Sequence, residues 1–229
     1  MSSVEHAKDY AAVKALETVS GSGIGVSGAP EVPTNAYLWF QTLPGAGPAT
    51  PGPVSSSCVH KLAAGTVVGG AAVDDGTGYC AVDGSGNVAA FGAATCYGSL
   101  AGVALNKPIV GMAVDRATGG YWLVSSDGGV FAFNAPYLGS TGGIRLNKPV
   151  VGMTSTLDGS GYWLVAADGG VFAYNAPFQG STGNITLKQP VIGGFDNNSY
   201  DGYWLEAADG GFFTYSPPNE GMQFFGSAV

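Results

Sequence analysis

The chain is poor in charge, and poorest in positive charge. Only 10% of its 229 residues are charged, with 8 Lys+Arg against 16 Asp+Glu and a formal net charge of −8. A nucleic-acid partner would require a basic stripe to neutralise phosphates, and none is present. The same deficit disfavours an anionic membrane surface. No run of 18 apolar residues occurs, so no membrane insertion is expected. Histidine is limited to His6 and His60, which leaves a Ser-His-Asp or Cys-His arrangement little to draw on. The three cysteines, Cys58, Cys80 and Cys96, are odd in number and match no zinc spacing. Neither a metal nor another cofactor is expected. The opening segment carries Glu5, Lys8, Asp9, Lys14 and Glu17, which a secretory h-region would not, so no signal peptide is expected there.

What the chain has instead is apolar and flexible material. It is 45% hydrophobic and 11% aromatic, against the composition of a disordered chain, and it holds 39 glycines. Those glycines have no period of three, which excludes a collagen helix. Each Gly inside a helix costs roughly 1 kcal/mol relative to Ala, which argues against a helical bundle. An all-β protein rich in tight turns remains.

A repeat organises most of it. Tyr-Trp recurs at Tyr121-Trp122, Tyr162-Trp163 and Tyr203-Trp204, each 41 residues after the last. Asp-Gly-Gly follows at Asp127, Asp168 and Asp209, and then Phe-x-aromatic at Phe131/Phe133, Phe172/Tyr174 and Phe213/Tyr215. Gly-Ser closes the unit at 139–140, 180–181 and, after an insertion, 226–227. Leu-Asn-Lys-Pro at 105–108 and 146–149, and Leu-Lys-Gln-Pro at 187–190, lead into the next unit. A worn copy precedes these, running from Val67 through Tyr79-Cys80 to Gly98-Ser99. In the best-kept unit the pattern predicts strands at 150–155, 162–166 and 171–174, with a shorter fourth strand at 178–182. Three to four antiparallel strands per repeat is the size of one β-propeller blade. The expected fold is therefore an all-β propeller of four blades over residues 58–229. Ala36 to Gln41 would add a degenerate fifth.

Residues 1–57 differ in kind. Residues 3–18 read as one helix, Ala36-Tyr-Leu-Trp-Phe-Gln41 as a short strand, and 44–53, with four prolines, as a linker. This extension is expected to anchor the propeller to other protein chains of an assembly.

The motif Gly-Tyr-Trp-Leu-Val-x-x-Asp-Gly-Gly-Val-Phe-Ala-Phe/Tyr, with Gly-Ser-Thr-Gly and Leu-Asn-Lys-Pro-Val-Val-Gly-Met, resembles a repeat found in actinobacterial surface proteins and in phages of those hosts. The resemblance covers residues 67–229 and implies a propeller-like, non-catalytic accessory domain, with no catalytic residue or ligand to carry over. It places the protein outside cells or on a virion, as a tail or capsid-surface component.

Candidate chemistry lies where the repeat breaks. The Tyr-Trp pairs could stack on sugars, but residues alternating inside strands read first as packing between blades. Asp127, Asp168 and Asp209 read as structural turns, although Ser125-x-Asp127-x-Gly129 resembles the Asp-box of sialidase-type propellers. The alternating Asp/Asn pattern of a calcium loop is absent. Cys80 takes the place of the repeated Trp, and Cys96 that of Tyr137 and Phe178. This predicts a Cys80–Cys96 disulfide, with two buried thiols or a bond of either to Cys58 as alternatives. Glu206 replaces Val124 and Val165 in an otherwise apolar strand. With Tyr200 and Asp201 of an altered loop, and Asn219 and Glu220 of the insertion, it forms the candidate ligand-binding set, a host-surface glycan being the expected ligand. The expected function is that of a non-enzymatic display, recognition or structural protein. The alternatives are a glycan hydrolase on the same scaffold and a secreted surface-binding module.

Overall fold

The computed structural model describes residues 58–73, 76–197 and 200–217. The helix, strand and linker expected within residues 1–57 lie outside the described residues. What is described is all-β: twelve strands in four three-stranded antiparallel sheets, with no helix among the described residues. The sheets follow chain order. Sheet 1 holds β1 (Val67–Ala72), β2 (Gly78–Asp83) and β3 (Val88–Gly92). Sheet 2 holds β4 (Ile109–Val114), β5 (Tyr121–Ser125) and β6 (Val130–Phe133). Sheet 3 holds β7 (Val150–Ser155), β8 (Tyr162–Ala166) and β9 (Val171–Tyr174), and sheet 4 holds β10 (Val191–Asn197), β11 (Tyr200–Ala207) and β12 (Phe212–Tyr215).

Local chemistry sets each meander. In the second hairpin of sheet 3, Asp168 Oδ1 accepts a bond from the Gly170 amide at 3.1 Å, and Gly169 turns the chain at φ +76°. A Cβ on Gly169 would also fall 1.6 Å from Thr182 Oγ1, so the glycine answers both to backbone conformation and to a close neighbour. Asp127 and Asp209 make the corresponding bond to Gly129 and Gly211. A β-bulge recurs near the start of the first strand of every sheet, just before Gly69, Gly111, Gly152 and Gly193. The glycine after the bulge lets first strands converge: a Cβ on Gly69 would lie 3.1 Å from Gly111 Cα, and one on Gly111 3.2 Å from Gly152 Cα.

Because both faces of each sheet are apolar, neighbours must cover them, and three such cores form. Between sheets 2 and 3, Trp122, Val124 and Val130 pack on Met153, Tyr162 and Leu164. Between sheets 3 and 4, Trp163 and Val165 pack on Tyr203 and Leu205. The indoles meet the next sheet's phenol rings at centroid distances of 5.0 Å (Trp122–Tyr162) and 5.2 Å (Trp163–Tyr203). Trp122, Trp163 and the tyrosines of all three pairs therefore serve packing between sheets.

Those phenols also fasten one unit to the last. Tyr121 Oη donates to the Gly98 carbonyl at 2.5 Å, Tyr162 to Gly139 at 2.7 Å and Tyr203 to Gly180 at 2.6 Å. The amides of Tyr97, Leu138 and Gln179 donate back to the same oxygens. Backbone bonds from Ile109 to Gly84, Val150 to Ser126 and Val191 to Ala167 tie each first strand to the hairpin of the preceding sheet.

The three long strands expected per unit form, but the fourth, over 178–182, does not. That segment is held by Tyr203 and by the Thr182 amide on the Gly169 carbonyl, contacts that replace a ladder.

Trp163 is 1% exposed, so Trp163→Ala should cost about 3–5 kcal/mol, read from the denaturant midpoint. Burial also makes the fold sensitive to alkali. It raises the Tyr203 phenol from its ordinary 10.0 to about 12, and that of Tyr174 likewise. The unfolded chain then loses these protons before the folded one does, so stability is full below pH 10 and is lost as pH rises through 12. A thermal midpoint that stayed level across that window would contradict this.

Candidate cavity and the outer face of sheet 4

Among the described residues, the two end sheets differ in what their outer faces carry. On sheet 1, the face turned away from sheet 2 carries Gly70, Ala81 and Ala89, where sheets 2 and 3 have methionine, leucine and phenylalanine. Leu62, Val59 and Val67 pack over these small residues, and Ala81 and Ala89 are fully buried. The chain before β1 thus caps sheet 1.

On sheet 4 the opposite face carries Phe195, Trp204, Glu206 and Phe212, all partly exposed. Register places them: Phe195 opposes Trp204, and Glu206 opposes both Gly193 and Phe212. The corresponding residues of sheet 3 are Thr154, Trp163, Val165 and Val171. Tryptophan is kept, while threonine and two valines have become two phenylalanines and a glutamate.

This face borders a cavity of about 700 Å³. First strands of all four sheets line it, through residues 70–72, 112–114, 153–155 and 192–196, joined by Arg116, Glu206 and Phe212. Arg116 reaches from the end of β4 to Asp196 at 3.5 Å, an ion pair between sheets 2 and 4. Thr154 of sheet 3 joins them: its Oγ1 lies 3.4 Å from Asp196 Oδ1 and accepts the Asp196 amide at 3.0 Å. Asp196 and Glu206 belong to opposite faces of sheet 4, since Asp196 pairs with Tyr203, which points into the core shared with sheet 3.

The structure does not assemble the expected ligand set. Glu206 lines the cavity, but Asp201 is exposed near the far end of β11, roughly 17 Å away at 3.3 Å per residue. Its carbonyl accepts a bond from the Gln179 side chain. Only the backbone of Tyr200 is described, and Asn219 and Glu220 lie outside the described residues. Sequence reasoning passed over Arg116, Thr154, Phe195 and Phe212. Phe195 and Phe212 could have been found by the test that singled out Glu206, a departure from the repeat.

The disulfide expectation is corrected. Cys58 bonds Cys96, and Cys80 is a buried free thiol. A Cys80–Cys96 bond needs the position of Cys96 to face that of the repeated Trp, yet Phe178 at that position is 59% exposed while Trp163 packs on Tyr203. Cys80 points into the core between sheets 1 and 2. A backbone bond from Val59 to Val88 instead brings Cys58 beside the end of sheet 1, 5.8 Å from Cys96 between Cα atoms. Tyr121 Oη lies 3.6 Å from Cys58 Sγ, so the bridge sits against the first inter-unit fastening.

No family model matches the chain, and no curated protein is significantly similar to it. Among solved structures it is similar to a structural-genomics protein of unknown function from Bacteroides thetaiotaomicron, at 14% identity and a TM-score of 0.44, over 66% of this chain. The match spans about half, 47%, of that protein's length.

The bridge closes a 38-residue separation, for which loop entropy alone predicts a contribution of about 4 kcal/mol. Cys58→Ser should therefore lower stability by about 2–4 kcal/mol. In the native protein Cys80 should resist alkylation, because burial raises its thiol to about 11. Peptide mapping without reduction checks the pairing, and a Cys80–Cys96 peptide would contradict it.

Proposed function

We propose that this chain is a non-enzymatic recognition protein, a four-unit propeller whose central cavity contacts a surface glycan or similar ligand. The observation that carries this reading is the clustering of the repeat's departures: Phe195, Glu206 and Phe212 all fall where one cavity is bordered by all four sheets. A repeat selected only for packing would keep its valines there. The ring arrangement is supported by the Arg116–Asp196 pair, because in a straight stack sheet 3 would hold sheets 2 and 4 about 20 Å apart. Placement outside cells or on a virion surface is supported by the disulfide, which persists in oxidising surroundings, and by the actinobacterial and phage resemblance of the repeat. Residues 1–57 would supply the anchor to an assembly. No helix among the described residues is long and apolar enough to cross a membrane.

A hydrolase is the rival reading. It asks for two carboxylates acting on one bond, whereas Asp196 is engaged by Arg116 and Thr154 and lies on the other face from Glu206.

The test is binding of the full chain to an array of actinobacterial surface glycans, beside the triple variant Phe195→Thr, Glu206→Val and Phe212→Val. Each substitution installs the residue that sheet 3 carries at that position, which keeps the fold. Retained ligand with no cleavage product, lost in the variant, is expected. Cleavage that disappears in Glu206→Gln would replace this reading with the hydrolase.

A further inference from the structure

The scarce positive charge of the chain is gathered at one end of the sheets. The Lys and Arg of the described residues are Lys61, Lys107, Arg116, Arg145, Lys148 and Lys188. Of these, Lys107, Arg145, Lys148 and Lys188 stand on the loops that join one sheet to the next. Those loops lie at the Asp-Gly-Gly end, because the carbonyls of Pro108, Pro149 and Pro190 accept the amides of Ser126, Ala167 and Ala208 beside those turns. Ile144 and Ile185 share that end. Their amides bond the carbonyls of Thr141 and Thr182, whose own amides bond Gly128 and Gly169 in the hairpins. The two isoleucines occupy the same place in successive units and are 60% and 54% exposed. All four cations are exposed, and among the described residues none of them makes an ion pair or a hydrogen bond. The acids of this end, Asp83, Asp127, Asp168 and Asp209, are recessed and accept amides of their own turns.

The opposite end, where the first strands finish, has the reverse character. Asp158 and Asp201 are exposed there, and Leu157 is exposed beside Asp158. Asp115 is buried in its own turn, and Arg116 at this end is engaged by Asp196. Cations that meet no carboxylate in their own chain gain by meeting one in another, and complementary charges fix which surfaces meet. Exposed aliphatic side chains rimmed by polar residues mark the same kind of contact. Each end offers what the other lacks: cations with Ile144 and Ile185 at one, carboxylates with Leu157 at the other. The two ends are separated by the length of the strands, so one copy cannot join them within itself. None of these residues lines the cavity, so this surface is distinct from the one proposed to meet a ligand.

We infer that the joining-loop end docks on the opposite end of a second copy of this chain, stacking copies head to tail. Arg145, Lys148 and Lys188 meet Asp158 and Asp201, while Ile144 and Ile185 cover Leu157. The contact is heterologous, so every added copy leaves one end of each kind open and the stack does not stop at a pair.

Sedimentation equilibrium of the full chain, from micromolar to near-millimolar concentration, tests this. The expected average mass climbs with concentration past that of a dimer. Arg145→Glu with Lys148→Glu removes one end. Leu157→Ser with Asp201→Asn removes the other and leaves the turn bonds of Asp158 to Thr156 and Ser160 in place. All four positions are exposed, so both variants should keep the wild-type thermal midpoint. Each variant alone should associate about tenfold or more weakly than wild type. An equimolar mixture of the two should form a dimer that grows no further, since one intact end of each kind remains. A monomeric wild type, a variant that associates as wild type does, or a mixture that does not pair overturns the inference. A wild type that stops at a dimer, abolished by the Arg145 and Lys148 variant alone, overturns it in favour of a symmetric contact. A monomeric wild type that binds poly-glutamate overturns it and assigns the basic end to an acidic partner of another kind.

Discussion

A three-stranded sheet that is apolar on both faces cannot stand alone in water, and this requirement governs the rest of the molecule. Each sheet is too narrow to bury its own residues, so each must be covered twice. Sheets 2 and 3 meet that need with neighbours on both sides, which is why Trp122 and Trp163 are almost completely buried. Burial obliges polar groups to find partners. The phenols of Tyr121, Tyr162 and Tyr203 find them in the exit loops of the preceding unit, which turns a packing contact into a fastening.

The ends of the series solve the covering problem differently. Sheet 1 has shrunk its outer face to glycine and alanine and receives Leu62 and Val59, with the Cys58–Cys96 bridge holding that segment down. Sheet 4 has enlarged its outer face with two phenylalanines and added a carboxylate. Its departures from the repeat, Phe195, Glu206 and Phe212, all line the cavity.

Much of this was legible in the sequence. The Asp-Gly-Gly turns, the three long strands of each unit and the 41-residue period depend on neighbours close along the chain, and each repetition reinforced the reading. Glu206 was found because a charge among valines breaks a local pattern. Phe212 escaped because one apolar residue for another breaks no hydropathy pattern, and Phe195 because its position, Ala113 in sheet 2 and Thr154 in sheet 3, sets no pattern to break. The disulfide was misread for a related reason. Cys58 has no counterpart in the other units, so alignment of repeats could not bring it forward.

By itself the sequence determined the three long strands and the turns of each repeat, because hairpin register and turn conformation are short-range properties of the chain. Tertiary structure alone decided which faces are covered, which cysteines meet and where a cavity opens. Those outcomes depend on contacts such as Arg116 with Asp196, which lie 80 residues apart and become neighbours only when the sheets have packed.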